Sequence, residues 1–176
     1  RDQNFFKWIK KNSKNILKEK NNEILKHAIV RSCKNKIYFI SNDEKETGKR
    51  MLLNFGHTFA HAIEAASNFS KKINHGEAVL IGMLLATKLS VKKNICSNST
   101  LKQIKQVYET NNLPWDLSKY FEKKDFNKIV NYMISDKKND DDKINLILLK
   151  RIGKTTKPGQ IKMSISQMKN VIKKIS

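Results

Sequence analysis

The chain has 176 residues, a length that suits one ordinary domain with a buried core. Its 36 Lys and Arg residues against 16 Asp and Glu residues give a formal net charge of +20, which makes nucleic-acid binding one alternative to consider. No apolar run approaches the roughly 18 residues of a membrane span, and no signal-peptide pattern is present. We therefore expect a cytoplasmic protein without a membrane partner.

The basic residues are mostly Lys, spread with Asn and Ile over the whole chain. They form no Arg-rich stripe with interleaved aromatic residues, so nucleic-acid binding is disfavoured as the main function. Cys33 and Cys96 lack the CxxC spacing of a zinc knuckle and the density of a disulfide scaffold. We expect two reduced thiols.

Helical periodicity dominates the first half of the chain. Apolar residues at helix spacing mark amphipathic segments over 5–17 and 24–33. A polar break at 41–48 precedes two less polar segments, roughly 49–68 and 76–93, which we expect at the centre of the domain. The chain starts at Arg1, within a helical pattern, so we interpret it as a fragment.

In the second half of the chain, the helical spacing of apolar residues gives way to short apolar runs typical of strands. Ser99 is expected to open a helix that stops at 111–114, before a proline. A short helix is predicted over 124–134. The apolar run 143–149 can pair with 161–165 as a hairpin, and a last helix is predicted over about 166–175. We predict one mainly α, multi-helix domain over residues 1–176 with a short β-hairpin near the C-terminus.

One predicted helix concentrates chemically active side chains on a single face. Measured as angles around the helix axis from His57, the helical period places Arg50 at about 20°, His61 at about 40° and Asn54 at about 60°. Gly56 within this helix would cost about 1 kcal/mol relative to Ala, which indicates close approach of another group. The opposite side carries the residues expected to face the core: Leu52, Phe55, Phe59, Ile63 and Ala66.

A third histidine, His75, stands just before the strongly apolar segment. It can converge with His57 on one metal ion through neutral imidazole nitrogens. A catalytic zinc site usually has three protein ligands, and Glu64 and Glu77 are candidates without compelling spacing. The alternative is that these histidines only line the polar face of an amphipathic helix. His27, outside this group, is interpreted as a packing or surface residue.

Six short blocks follow one another with characteristic spacing: RSCKNK at 31–36, DEKETGKR at 43–50, LNFGHTFAHAIE at 53–64, HGEAV at 75–79, GM at 82–83 and DKK at 136–138. In order and spacing they resemble the C-terminal, metal-binding half of 3-dehydroquinate synthases, over nearly the whole chain. The GHTFxHAIE block followed by HGEAV is highly specific.

The resemblance implies an enzyme that converts 3-deoxy-arabino-heptulosonate 7-phosphate into 3-dehydroquinate and phosphate in the shikimate pathway. The family uses NAD and a divalent metal, zinc or cobalt, and commonly forms homodimers. The resemblance also implies an upstream Rossmann-like half that binds NAD and supplies an acidic third metal ligand. Without that half, we expect the fragment to be inactive and to bind no NAD tightly.

The resemblance also implies functional roles for eight residues. It implies metal binding by His57 and His75, substrate binding by Lys36, Arg50, Asn54 and Lys137, and proton transfer by Glu46 and His61. Two departures from the family pattern, at Ala60 and Asn74, are expected to be tolerated. The acidic stretch 139–143 makes the loop of Lys137 less typical of the family.

Two alternatives remain open from the sequence. One is a related sugar-phosphate cyclase that makes an inosose, or an iron-dependent polyol dehydrogenase with a similar histidine-bearing domain. Lys36, Arg50 and Lys137, together with Glu46, favour a phosphorylated acid as the substrate. The alternative from another class is a basic helical module that binds nucleic acid.

Overall fold

The computed structural model describes residues 2–68, 72–134 and 143–176. The α-helices in these ranges are α1 Gln3–Leu17, α2 Asn22–Ser41, α3 His57–Ala66, α4 His75–Lys92, α5 Asn98–Thr110, α6 Phe126–Tyr132 and α7 Ile165–Ile175. Short 3₁₀ helices cover Lys49–Asn54, Leu117–Lys119 and Lys123–Asp125. The strands are β1 Lys143–Leu146, β2 Leu149–Arg151, β3 Lys154–Thr155 and β4 Ile161–Ser164. The predicted mainly α fold with a C-terminal hairpin is confirmed.

The core forms where α3 and α4 pack together and where α6 and α7 close over them. Its fully buried side chains include Phe59 of α3, Leu85 of α4 and Phe126 of α6. Helix α4 buries residues around most of its circumference, since it is apolar along nearly its whole length. The apolar segment predicted at the centre of the domain is therefore its central helix.

Two glycines allow α3 and α4 to approach closely. Gly56, at the N-terminus of α3, has a φ of +85°, and a Cβ placed on it would lie 2.6 Å from the backbone nitrogen of Met83. A Cβ on Gly82 of α4 would collide with the carbonyl oxygen of Gly56. The predicted close approach at Gly56 is confirmed, and the group that approaches is the backbone of α4.

The C-terminal strands form two nested hairpins. β1 pairs antiparallel with β4, with Ile144 opposite Met163, which confirms the predicted pairing. The sequence did not indicate the inner hairpin, in which β2 pairs with β3. The hydroxyl of Ser90 on α4 accepts a hydrogen bond from the Leu149 amide at 2.9 Å, so the strands are fastened to the central helix.

The predicted start of one helix differs from the observed start by one residue. Helix α5 begins at Asn98, and its N-cap is Ser97, whose hydroxyl accepts a hydrogen bond from the Thr100 amide at 3.2 Å. Ser99 lies inside the first turn, because the upstream serine hydroxyl reaches the free amides first. The helix ends at Thr110, as expected for a segment that precedes Pro114.

Helices α1 and α2 form an antiparallel pair at the N-terminus. The carboxylate of Asp2 caps α1 through the Phe5 amide at 2.9 Å and accepts a hydrogen bond from Arg31 Nε of α2 at 2.8 Å. Trp8 of α1 lies against His27 of α2, with ring centroids 4.5 Å apart, in agreement with a packing role for this histidine. None of the helices in the described ranges is long and apolar enough to cross a membrane.

Replacing Asp2 with Ala removes both the helix cap and the partner of Arg31, so we expect the free energy of unfolding to fall by about 1 kcal/mol at neutral pH. The hydrogen bond from Arg31, followed by that from the Phe5 amide, lowers the pKa of Asp2 from 3.8 to about 2. A lowered carboxyl pKa stabilises the folded state above pH 3.8, and this contribution is lost as the pH falls towards 2. Urea unfolding of the unsubstituted protein and of the Asp2→Ala variant at several pH values measures the difference between their free energies of unfolding. A difference that stays constant down to pH 2 would contradict the role assigned to Asp2.

Replacing Gly56 with Ala should destabilise the protein by about 2–5 kcal/mol, the sum of a left-handed backbone penalty of about 1–2 kcal/mol and overpacking of about 1–3 kcal/mol. Gly159 provides the matched control, because it also has a positive φ, +71°, with no atom within 4 Å of an added Cβ. Gly159→Ala should therefore show only the backbone penalty. Equal losses in the two variants, measured by urea unfolding, would show that the contact with Met83 is unimportant.

Candidate metal and substrate site

The continuous helix predicted through residues 50–64 is wrong. Lys49–Asn54 is a 3₁₀ helix, Phe55 leaves helical geometry, and α3 begins only at His57. The cause is Gly56, whose left-handed conformation interrupts the helix. Arg50 and Asn54 therefore do not share a face of one helix with His57. The break also leaves Leu52 and Phe55 only half-buried, whereas Phe59, Ile63 and Ala66 lie in the core as predicted.

Three of the predicted site residues nevertheless meet through the loop before the 3₁₀ helix. Asn54 Nδ2 donates a hydrogen bond to Glu46 Oε1 at 2.6 Å. Arg50 Nε lies 3.9 Å from Glu46 Oε2, and Arg50 Nη1 donates to the carbonyl oxygen of Glu44 at 2.7 Å. Glu46 has a φ of +55°, a left-handed backbone conformation that is uncommon for residues other than glycine and is held here by the surrounding loop. The loop thus sets a carboxylate beside a guanidinium and an amide.

Asp43 holds this loop in shape. Its carboxylate accepts hydrogen bonds from the backbone amides of Thr47 at 3.0 Å, Gly48 at 2.8 Å and Arg50 at 2.9 Å. These bonds, with the Arg50 amide as the largest cause, lower the pKa of Asp43. Sequence reasoning assigned no role to Asp43. Its signal was an Asp shortly before a Thr-Gly pair, the pattern of side-chain-capped turns.

The histidines form a cluster at the N-terminal ends of α3 and α4. The ring centroids of His57 and His61 lie 5.6 Å apart, those of His57 and His75 lie 5.8 Å apart, and those of His61 and His75 lie 6.3 Å apart. His57 and His75 are each the first residue of their helix. The contact between α3 and α4 therefore brings together side chains that are 18 positions apart in the sequence.

His57 has an unsatisfied nitrogen in this cluster. Its Nδ1 is buried and has no hydrogen-bond partner among the described residues. Burial lowers the pKa of His57, while the nearby Phe55 carbonyl opposes this shift without reaching hydrogen-bond geometry. The imidazole is therefore neutral at pH 7, and neutral imidazole is the form that binds metal ions.

His75 is held by a carboxylate. Its Nδ1 lies 3.1 Å from both carboxylate oxygens of Glu64, an arrangement that fixes the ring and leaves Nε2 as the coordinating nitrogen. The other candidate carboxylate, Glu77, caps α4 by accepting a hydrogen bond from the Asn74 amide at 2.9 Å. Of the two, only Glu64 contacts the cluster.

The cluster does not form a complete metal site by itself. Among the residues that the structure describes, no group of three or more His, Cys, Asp or Glu side chains could hold a metal ion. Lys36 lies on the exposed surface of α2, and Lys137 falls outside the described ranges. A cavity of about 440 Å³ lies elsewhere, near Phe121 and Lys128, and none of the predicted site residues lines it.

The family model for the C-terminal part of 3-dehydroquinate synthase matches residues 1–139. The chain belongs to this family. A 3-dehydroquinate synthase of Pelagibacter ubique is 44% identical over 149 residues, which cover 85% of this chain and 40% of that protein. One from Dictyoglomus thermophilum is 44% identical over 153 residues, covering 87% and 41%. The chain therefore spans about 40% of the length of these relatives.

Solved structures show the same fold. A 2-epi-5-epi-valiolone synthase from Streptomyces hygroscopicus, solved with NAD⁺ and Zn²⁺ bound, matches with a TM-score of 0.80 and 17% identity over 99% of this chain and 47% of its own. A 2-deoxy-scyllo-inosose synthase complexed with carbaglucose-6-phosphate, NAD⁺ and Co²⁺ matches with a TM-score of 0.65 and 27% identity over 79% and 39%. The family assignment and the fold therefore agree.

Replacing Asp43 with Ala should loosen the loop that carries Glu46. Three backbone amides lose their acceptor, and local opening should become about 1–3 kcal/mol easier for each amide left unsatisfied in a part-buried position. Hydrogen exchange measured by mass spectrometry over residues 43–54 should accelerate accordingly. Asp116→Ala is the control, since Asp116 caps a distant loop through the Ser118 amide. Unchanged exchange over 43–54 would show that Asp43 does not hold the loop.

Proposed function

We propose that this chain is the C-terminal part of an enzyme that converts 3-deoxy-arabino-heptulosonate 7-phosphate into 3-dehydroquinate and phosphate. The observation that carries the proposal is the histidine cluster at the start of α3 and α4, in which the buried Nδ1 of His57 has no partner among the described residues. The group formed by Glu46 of the preceding loop with Arg50 and Asn54 of the 3₁₀ helix supports it. Family membership supports this reaction over others that use a similar fold.

The residues of the cluster fit a divalent metal. Imidazole nitrogens are ligands that zinc and cobalt accept, and burial lowers the pKa of His57. Glu64 holds the Nδ1 of His75, which directs the other ring nitrogen towards an ion. His57 and His75 would hold the ion, and a third ligand would come from the part of the protein that precedes this chain. Solved relatives of the same fold contain NAD⁺ with Zn²⁺ or Co²⁺.

When bound, the metal supplies Lewis acidity at a substrate hydroxyl, and NAD supplies a reversible acceptor for hydride. Arg50 binds an anionic group of the substrate, because its five N–H donors allow it to hold Glu44 and Glu46 and still offer a fork to a phosphate or carboxylate. Lys36 adds a second positive charge from α2. These two residues orient the substrate and balance its charge.

Proton movement falls to Glu46 and His61. Asn54 donates a hydrogen bond to one oxygen of Glu46, which fixes the carboxylate so that its other oxygen faces Arg50. A carboxylate held in this way can take a proton from a substrate carbon or hydroxyl. His61 lies on the exposed side of α3 beside His57, where an imidazole can relay a proton to water. Lys137 is proposed to add a further substrate contact.

The dehydroquinate reaction is favoured over that of the related inosose-forming cyclases. Curated 3-dehydroquinate synthases are 44% identical to this chain, whereas the 2-deoxy-scyllo-inosose synthase structure is 27% identical. Product analysis with the complete protein separates the two, because only one product is a carboxylic acid. We also propose that the complete protein acts in the cytoplasm as a homodimer, which light scattering on the purified protein tests.

Removing both histidines tests the proposal. In the complete protein, His57→Ala with His75→Ala should weaken zinc binding by more than about 100-fold, since loss of a residue that only orients a ligand costs about 10–100-fold. Glu64→Gln should fall within that smaller range, and phosphate release from the substrate should be lost in the double variant. Zinc affinity is measured by competition with a chelator.

His27→Ala is the matched control, because His27 packs on Trp8 away from the cluster. It should leave zinc affinity and phosphate release unchanged, and thermal unfolding without metal should show that all variants remain folded. Zinc affinity that is indifferent to both histidines would overturn the metal site.

A further inference from the structure

Helix α2 exposes an apolar stripe. Ile29 is 60% exposed, Ile37 is 59% exposed and Val30 is 44% exposed, and the thiol-bearing Cys33 is exposed between them. These four residues are called the α2 stripe below. With 3.6 residues per turn they cover an arc of about 100°, so they form one continuous surface.

This arc is not the side of α2 that packs on α1. The residues of α2 that contact α1 and its cap are His27, Arg31 and Asn35, and they lie about 120–160° away from Ile29 around the helix. Within the described residues, α2 contains none that is buried, although it is 20 residues long. A helix of this kind gains most of its stability by packing an apolar face, whereas the α2 stripe remains exposed in the part of the chain that the structure describes.

Single exposed apolar side chains are ordinary, but contiguous patches mark surfaces that bind another surface. The α2 stripe also borders the candidate site. Lys36 lies about 20° from Ile29 around the helix, α2 packs against the 3₁₀ helix that carries Arg50 and Asn54, and the loop of Glu46 follows α2 directly. Whatever covers the stripe therefore lies beside the site.

The positive charge of α2 limits which kind of surface can cover the α2 stripe. Lys26, Arg31, Lys34 and Lys36 are its basic residues, against the single acidic Glu23. Pairing of the stripe with the same stripe of a second copy would bring these like charges together in a chain with a net charge of +20. An apolar surface with an acidic rim is the complementary partner.

Another part of the same protein is available as the occupant, because this chain matches a C-terminal family model and spans about 40% of the length of its relatives. We propose that the α2 stripe is covered by the preceding, N-terminal part of the same polypeptide, through an apolar surface with an acidic rim. This contact would seat that part against the candidate site, where the described residues do not complete a metal-binding group. The inference concerns the packing of the two parts and does not require the proposed reaction.

Cys33 reports on the contact directly in the complete protein. Its alkylation by a maleimide, followed by mass spectrometry of the peptide that contains it, should be at least about tenfold slower in the native protein than in urea, because labelling then requires opening of the interface. The assay needs no metal, NAD or substrate, so its outcome is independent of the proposed activity. A rate in the native protein equal to that in urea would overturn the proposal.

A double substitution identifies the occupant. Ile29→Lys with Ile37→Lys should restore rapid alkylation of Cys33 while the oligomeric state, measured by light scattering, stays that of the unsubstituted protein. Leu17→Lys is the matched control, because Leu17 is 46% exposed at the far end of α1, and it should leave Cys33 protected. If the double variant instead dissociates into smaller species as Cys33 becomes reactive, the stripe contacts a second copy and the proposal is wrong.

Discussion

The approach of α3 to α4 through Gly56 and Gly82 determines the arrangement of the histidine cluster. A side chain at either glycine would meet the backbone of the other helix, so the separation between the two helices depends on the absence of a Cβ at both positions. Since His57 and His75 each begin one of these helices, a wider separation would move their rings apart. A packing constraint in the core thus sets the distance between potential metal ligands.

The loop with Glu46 is positioned by different means. Its shape comes from the hydrogen bonds that the Asp43 carboxylate accepts from backbone amides. The two halves of the candidate site are therefore built separately, one by close packing and one by a polar turn. Gly56 joins them, because it ends the irregular segment after Asn54 and begins α3.

The sequence was sufficient for most of the elements and for the grouping of the histidines. Periodicity places the helices, and the i, i+4 spacing of His57 and His61 holds because both lie within α3. The break at Gly56 could not be predicted, because a glycine inside a helical pattern is often tolerated. The left-handed conformation of Gly56 and its close approach to Met83, 27 positions along the chain, appear only in the folded structure.

The role of Asp43 was missed for a related reason. Its three backbone partners become neighbours only after the loop has turned, so a linear pattern carries only a weak signal for it. The roles of single residues in binding and proton transfer rest on the family resemblance, since proximity brings groups together without assigning them a task. The inner hairpin of β2 and β3 escaped notice because its strands are only three and two residues long.

In the proposed substrate site, the turn around Asp43 also bears on affinity. A segment that is disordered before binding loses conformational entropy when a ligand orders it, and that loss is subtracted from the affinity. Here the turn is closed by its own carboxylate, which accepts a hydrogen bond from the Arg50 amide and holds Arg50 beside Glu46. In the proposed reaction, the interaction energy of an incoming anion can therefore go towards aligning the reacting groups.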